Sequence, residues 1–157
     1  MKIIFLPLLL GVTLSISSCA DDSVAEDPLP ESMFSELQSG LHTNGGIYTQ
    51  KQSKVIVNQK DYDNELLVYT SATPESIDFL TGKVLLVDMG QRNTGGYSIK
   101  VTSVDVSENH VVAHVNLIQP GQNCLVTDAL TNPYQFVFIP TRKEVLITER
   151  MTLEECQ

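Results

Sequence analysis

The chain has 157 residues, 42% of them apolar, with 10 Lys and Arg against 19 Asp and Glu and no Trp. An acidic excess of this size repels nucleic acid and anionic membrane surfaces, and no basic patch with interleaved aromatics offsets it, so a nucleic-acid partner is excluded. No paired carboxylates, nucleophile frame or phosphate loop stands out, so binding or interaction is favoured over enzymatic chemistry.

Residues 1–18 read as a lipoprotein signal peptide. Lys2 opens it, Ile3 to Leu14 is predominantly apolar, with one proline, Pro7, and one glycine, Gly11, and small residues close it. The run is shorter than the ~20 residues a spanning helix needs, so cleavage is expected rather than retention as an anchor. Ile16-Ser17-Ser18-Cys19 resembles the bacterial lipobox, in which Cys19 becomes the lipidated first residue; an ordinary signal peptide with a chance cysteine is the other reading. Acyl chains at about 0.8 kcal/mol per buried CH2 would make the attachment effectively permanent. Ala20, rather than Asp, follows the cysteine, which by analogy with enteric lipoproteins implies a lipid-anchored place in the cell envelope, at the outer membrane. Residues 19–31 are acidic, proline-bearing and poor in apolar groups, as expected of a solvated tether, and residues 20–31 reach at most about 40 Å when extended. Without the signal one Lys is lost, leaving 9 basic against 19 acidic side chains, or −10.

Residues 32–157 fit one globular domain, long enough to bury roughly two-thirds of its unfolded surface. Ser32 to Gln38 is expected to form a short helix, with Met33, Phe34 and Leu37 on one side and Ser39-Gly40 ending it. Asn44-Gly45-Gly46 signals a turn, and Ile47 to Thr49 and Val55 to Val57 read as short strands. Asn58 suits the N-cap of a helix from about 59 to 70, with Asp61 and Asp63 in its first turns and Tyr62, Leu66 and Tyr69 on one face. Ser71 to Gly82 connects, and Ile77 and Phe79 are expected to dip into the core. Val84 to Val87 are consecutive apolar residues, as in a strand covered on both faces, whereas Tyr97, Ile99 and Val101 alternate with polar residues, as in a half-buried one. The apolar parity then moves to Val104 and Val106, which predicts a bulge near Thr102 or Ser103. Val111 to Ile118 presents Val111, Ala113, Val115 and Leu117 on one face. Tyr134 to Ile139 is apolar on both faces, and Thr141-Arg142-Lys143 turns into a last strand from Glu144 to about Arg150.

The loop between the two central strands carries the specific signal. Gly90, Gly95 and Gly96 can take positive φ, which lets Gln91 to Thr94 fold back and present Arg92, Asn93 and Thr94 outward. A hydrophobic strand, then Gly90, then Thr94-Gly95-Gly96-Tyr97 opening an alternating strand, resembles the PrcB family, the protease-complex subunit of bacterial surface proteins. Pro120-Gly121, followed by Ala129-Leu130-Thr131-Asn132-Pro133-Tyr134 and the run Gln135 to Pro140, is similar to that family's closing segment. The resemblance covers roughly residues 54–140. It implies a lipoprotein or secreted protein, and for the family's name-giving member it implies stabilisation of a protease complex. The loop of Arg92, Asn93, Thr94, Gly95, Gly96 and Tyr97 is then a plausible partner-contact surface on a rigid sheet, with Asn132, Pro133 and Tyr134 beside it. Gly95, Gly96 and Pro133 could equally serve only the backbone, and Tyr97 and Tyr134 only the core.

Other motifs carry less. His110 and His114 have the one-turn spacing of zinc proteases, but the run is valine-rich, and on a strand the two would stand about 13 Å apart, so no metal is expected. Asp61, Asp63 and Glu65 lack the glycine and distal glutamate of a calcium loop. No cofactor is implied. Cys124 and Cys156 remain after Cys19 is assigned to lipid, and outside the cytoplasm a pair is expected to form a disulfide, provided their α-carbons lie within about 7 Å. It would clip the Pro120 to Asn123 loop to the C-terminal tail.

The expected fold is a single β-rich α+β domain of five to seven mostly antiparallel strands with one clear helix. The expected function is non-enzymatic: a module, membrane-tethered through lipid on Cys19, that binds or stabilises a protein partner such as an envelope or secreted protease. Two alternatives stand beside it. Asn93-Thr94-Gly95-Gly96-Tyr97 is similar to the Thr-Thr-Gly-Tyr loop of chagasin-type cysteine-protease inhibitors, although their Arg-Pro-Trp loop has no counterpart here. The other alternative is a structural envelope lipoprotein.

Overall fold

The computed structural model describes residues 33–42 and 49–156. The signal segment, Cys19, the tether, the Asn44 to Gly46 turn and the strand start at Ile47 lie outside the described residues. Seven strands and one helix are described: β1 (Ser35–Gly40), β2 (Gln52–Ile56), α1 (Gln59–Tyr69), β3 (Lys83–Asp88), β4 (Ser98–Val106), β5 (His110–Pro120), β6 (Tyr134–Ile139) and β7 (Glu144–Glu154). They form a four-stranded sheet in the order β1-β6-β3-β2 and a three-stranded sheet in the order β4-β5-β7. Every pairing is antiparallel except β5 with β7. The fold is the expected β-rich α+β domain.

Alternation along β3 and β6 explains the layering. Leu85, Val87, Val137 and Ile139 pack with Val101, Ala113 and Val115 of the other sheet. Val84, Leu86, Tyr134 and Phe136 pack on the opposite face with Tyr62, Leu66 and Tyr69 of α1. These two strands therefore have a layer on each side, and apolar residues on both faces are what such a position selects. The three-stranded sheet is covered on one face only, so β5 alternates between buried Val111, Ala113, Val115 and Leu117 and less buried residues between them.

The helix forms as local sequence dictates. The Asn58 side chain accepts the Asp61 N–H at 2.9 Å, while Tyr62, Leu66 and Tyr69 turn inward. Ile77 and Phe79 of the following connector pack against the same cluster. The bulge in β4 falls where the parity shift places it, between Val101 and Ser103. Buried Gln135 of β6 occupies that irregularity, its Oε1 accepting the Val101 N–H at 2.7 Å across the two sheets.

One expectation needs correction, and two pairings that the sequence leaves open are settled. The helix expected over Ser32 to Gln38 is not found among the described residues: from Ser35 onward the chain pairs with β6. A spacing of three puts Phe34 and Leu37 on one side of a helix, but in extended chain they fall on opposite faces, and each packs against a different core cluster. β3 and β4 do not pair with each other, because they belong to different sheets. The turn at Thr141 to Lys143 likewise does not set β7 beside β6 but delivers it to the far side of β5, in parallel register from His110–Glu144 to Pro120–Glu154.

Candidate functional site

The loop joining β3 to β4 starts from a buried carboxylate. Asp88 is fully buried, and its Oδ1 accepts the Gly90 N–H at 2.7 Å and the Asn132 side-chain amide at 2.6 Å. Its Oδ2 accepts the Tyr69 hydroxyl at 2.6 Å, and the Gln52 amide donates to that hydroxyl at 2.9 Å. One side chain thus joins the end of β3, the loop before β6, the last turn of α1 and the start of β2. Burial and the adjacent carboxylate push the Tyr69 phenol far up, and burial raises Tyr62 and Tyr134 as well. Tyr69 is therefore a neutral donor at every ordinary pH, which is the form the carboxylate requires.

From there the β3–β4 loop and the long β5–β6 loop are tied together rung by rung. Met89 N–H donates to Pro133 at 2.9 Å, Arg92 and Thr131 exchange backbone bonds of 2.7 and 3.0 Å, and Gly95 N–H donates to Thr127 at 2.9 Å. The Thr131 hydroxyl donates to the Thr94 carbonyl at 2.9 Å. Asn132 N–H reaches the Leu41 carbonyl at 2.6 Å, which brings the end of the β1 segment into the same assembly. Gly90 has φ 72°, and a Cβ there would lie 2.7 Å from the backbone of Gln50 and Lys51. Both constraints restrict this position to glycine.

The expected contact residues divide into two groups. Asn93 and Gly96 are exposed and Thr94 and Tyr97 are half-buried. Arg92 is not turned outward as expected: it is half-buried, its guanidinium donates to the Met89 carbonyl, and it lies 5.7 Å from the Tyr97 ring centre. Thr131, Asn132, Pro133 and Tyr134 are buried and brace the loop from behind. Tyr134 is a core aromatic, with its ring centre 4.7 Å from that of Tyr69. Gly96 takes positive φ, at 84°, and Gly95 does not; Gly95 is needed because a Cβ would strike the Thr127 hydroxyl.

Sequence reasoning missed two things. Leu125, Val126 and Leu130 are exposed on the β5–β6 loop, Leu125 completely. Apolar residues set among Gly121, Gln122, Asn123, Thr127 and Asp128 were the available signal. Asp88 was also overlooked, because an acid at the end of an apolar run reads as a strand terminus. The disulfide between Cys124 and Cys156 is present, with α-carbons 5.0 Å apart. It fixes the start of the exposed loop to the chain's end, and the Gly121 N–H donates to Glu154 at 2.9 Å beside it. Tyr97, Pro120, Gly121 and Leu153 line a hollow of about 540 Å3 at this place.

His110 and His114 lie on β5, and His114 pairs with Asp105 at 2.8 Å. No group of three or more His, Cys, Asp or Glu able to share a metal occurs among the described residues. No curated protein and no solved structure matches the chain. Residues 83–140 match the family model described as PrcB C-terminal. That span begins at the first residue of β3 and ends just after β6, so it contains both tied loops and all four strand ends that carry them, and over these residues the chain is similar to the PrcB family.

Proposed function

We propose that the chain is a non-enzymatic interaction module, tethered to the outer membrane through lipid on Cys19, that binds or stabilises a partner protein at its loop end. The family is compatible with a protease-complex-associated module, and a protease complex is the partner class this reading favours. One observation carries it: two loops with exposed Asn93, Gly96, Leu125 and Leu130 are cross-bonded into one surface and held from below by a buried carboxylate. A preordered surface with apolar residues in water loses little entropy on binding and gains their burial. The tether confines any partner to the same membrane surface.

The test is capture from detergent-solubilised membranes of the host, comparing the wild-type lipoprotein with Asn93→Ala combined with Leu125→Ser and Leu130→Ser. These side chains lie outside the core, so the variant is expected to keep its thermal unfolding midpoint. A stoichiometric protease or protease-associated protein retained by wild type and lost from the variant supports the reading. Equal capture by both removes the loop end from consideration.

A second reading, protease inhibition, rests on the similarity of Asn93 to Tyr97 to the loop of chagasin-type inhibitors, a loop that is here tied to its neighbour through Gly95 and Thr127. Submicromolar inhibition of a papain-like protease that is lost with Asn93→Ala would select it.

A further inference from the structure

The two sheets have four edge strands, β1, β2, β4 and β7. Three are blunted in recognised ways. β1 has six residues and its register slips between Glu36 and Gln38. β2 has only five residues. β4 is bulged, and the Gln135 side chain occupies the Val101 N–H. Short length, bulges and covering groups are the usual protections of an edge against added strands.

β7 is neither short, nor bulged, nor covered by such a group among the described residues, and its protection is confined to the charges of Glu144, Glu149, Arg150 and Glu154. It runs eleven residues in unbroken register with β5, contains neither proline nor glycine, and has no strand on its other side among the described residues. Its first half is covered by the opposite sheet, where Val145 and Ile147 pack on the core. Its second half is not: Met151 is 57% and Leu153 59% exposed, on the face that Val145 and Ile147 share. The charge facing inward on this strand, Glu149, is neutralised by Lys51. The disulfide and the Gly121–Glu154 bond fix the far end, so the edge is already ordered.

We infer that the free edge of β7 is a second binding surface, which receives an extended segment of a partner protein by β-strand addition. This extends the interaction-module reading but uses different residues from the loop end. The partner's chemistry follows from the charges. Glu144, Glu149 and Glu154 are spaced symmetrically about Glu149. An antiparallel pairing of whole β7 with a second copy therefore sets Glu149 against Glu149 and Glu144 against Glu154 at both ends. Like charges directly opposite destabilise a strand pair, and each chain carries the same strong acidic excess. The complementary segment has apolar residues opposite Ile147 and Met151 and cations opposite Glu144 and Glu154. Backbone bonds along the edge supply affinity, and the alternate side chains supply selectivity.

The test uses the full chain and two synthetic peptides the length of β7, each alternating valine and threonine, one with lysine at both ends and the other with glutamate. Amide hydrogen exchange and fluorescence anisotropy are read together. The lysine-ended peptide is expected to bind and to slow exchange along residues 144–154, and the glutamate-ended one to do neither. The double variant Glu144→Lys, Glu154→Lys is expected to weaken the lysine-ended peptide by about tenfold, with exchange in α1 and β3 unchanged as proof of folding. Equal binding of both peptides, protection at β1, β2 or β4 instead, or no protection of β7 overturns the inference. So does concentration-dependent self-association that protects β7 without peptide, which would make a second copy the occupant. None of these outcomes alters the capture result for Asn93, Leu125 and Leu130, so the two surfaces stand or fall separately.

Discussion

The four-stranded and three-stranded sheets meet face to face, yet they obey different rules. β3 and β6 have a layer on both sides, so a polar group placed there must find all its partners within the protein; Asp88 and Gln135 do so through named donors and acceptors. The three-stranded sheet leaves one face to water and carries an exposed end that the disulfide clips. A polar change should therefore cost much on either face of β3 and β6 and little on the water-facing side of the second sheet, whereas loosening the chain end should matter chiefly in the second.

The largest effect is expected from Asp88→Ala, which strands the Tyr69 hydroxyl, the Asn132 amide and the Gly90 N–H. At about 1–3 kcal/mol for each buried donor left unpaired, offset by some relaxation, we expect about 3–5 kcal/mol lower stability in urea unfolding. A loss below 1 kcal/mol would mean that Asp88 does not organise the junction. Cys124→Ser comes next. The bond closes a loop of sequence separation 32, and chain entropy gives it about 3–4 kcal/mol. Exchange of the β7 end and of residues 120–133 should accelerate while β3 amides stay the slowest; uniform acceleration would show that the clip serves the whole domain.

Alkaline titration probes the doubly covered sheet without mutation. Tyr62, Tyr69 and Tyr134 have folded pKa values above the ordinary 10.0, so the folded chain keeps protons that the unfolded chain releases. Their contribution is intact below about pH 10 and is lost as pH rises further, at up to about 1.4 kcal/mol per unit for each phenol. Tyr69→Phe should shift the onset of unfolding upward relative to its own neutral-pH stability; an unchanged onset contradicts the assignment. The finest comparison exchanges valine for threonine in each sheet. Val84→Thr buries a hydroxyl in β3 and should cost about 1–3 kcal/mol, whereas Val112→Thr, on the water-facing side of β5, should stay within about 0.5 kcal/mol. Equal losses would erase the distinction between the sheets.

Much of this was legible in the sequence where the determinant is local. The apolar run of β3 and the apolar residues on both faces of β6 announced two covered faces, and the parity change after Val101 announced the bulge, because side chains alternate strictly along a strand. Asn58 and the spacing of Tyr62, Leu66 and Tyr69 specified α1 through bonds within a few residues. The loop glycines and Thr94 to Tyr97 marked the candidate site. Met33 to Leu37 misled, since a spacing of three suits a helix face as well as a strand shared between two cores.

What tertiary structure alone decided is partnership. Whether β3 pairs with β4, which side of β5 receives β7, and whether Arg92 faces water or the Met89 carbonyl depend on elements far apart in the chain, and no local pattern encodes them. Asp88 shows the reason most clearly. The sequence set an acid at the end of an apolar strand, but only packing brought Tyr69, Gly90 and Asn132 to it, turning an apparent strand terminus into the junction that holds the loops.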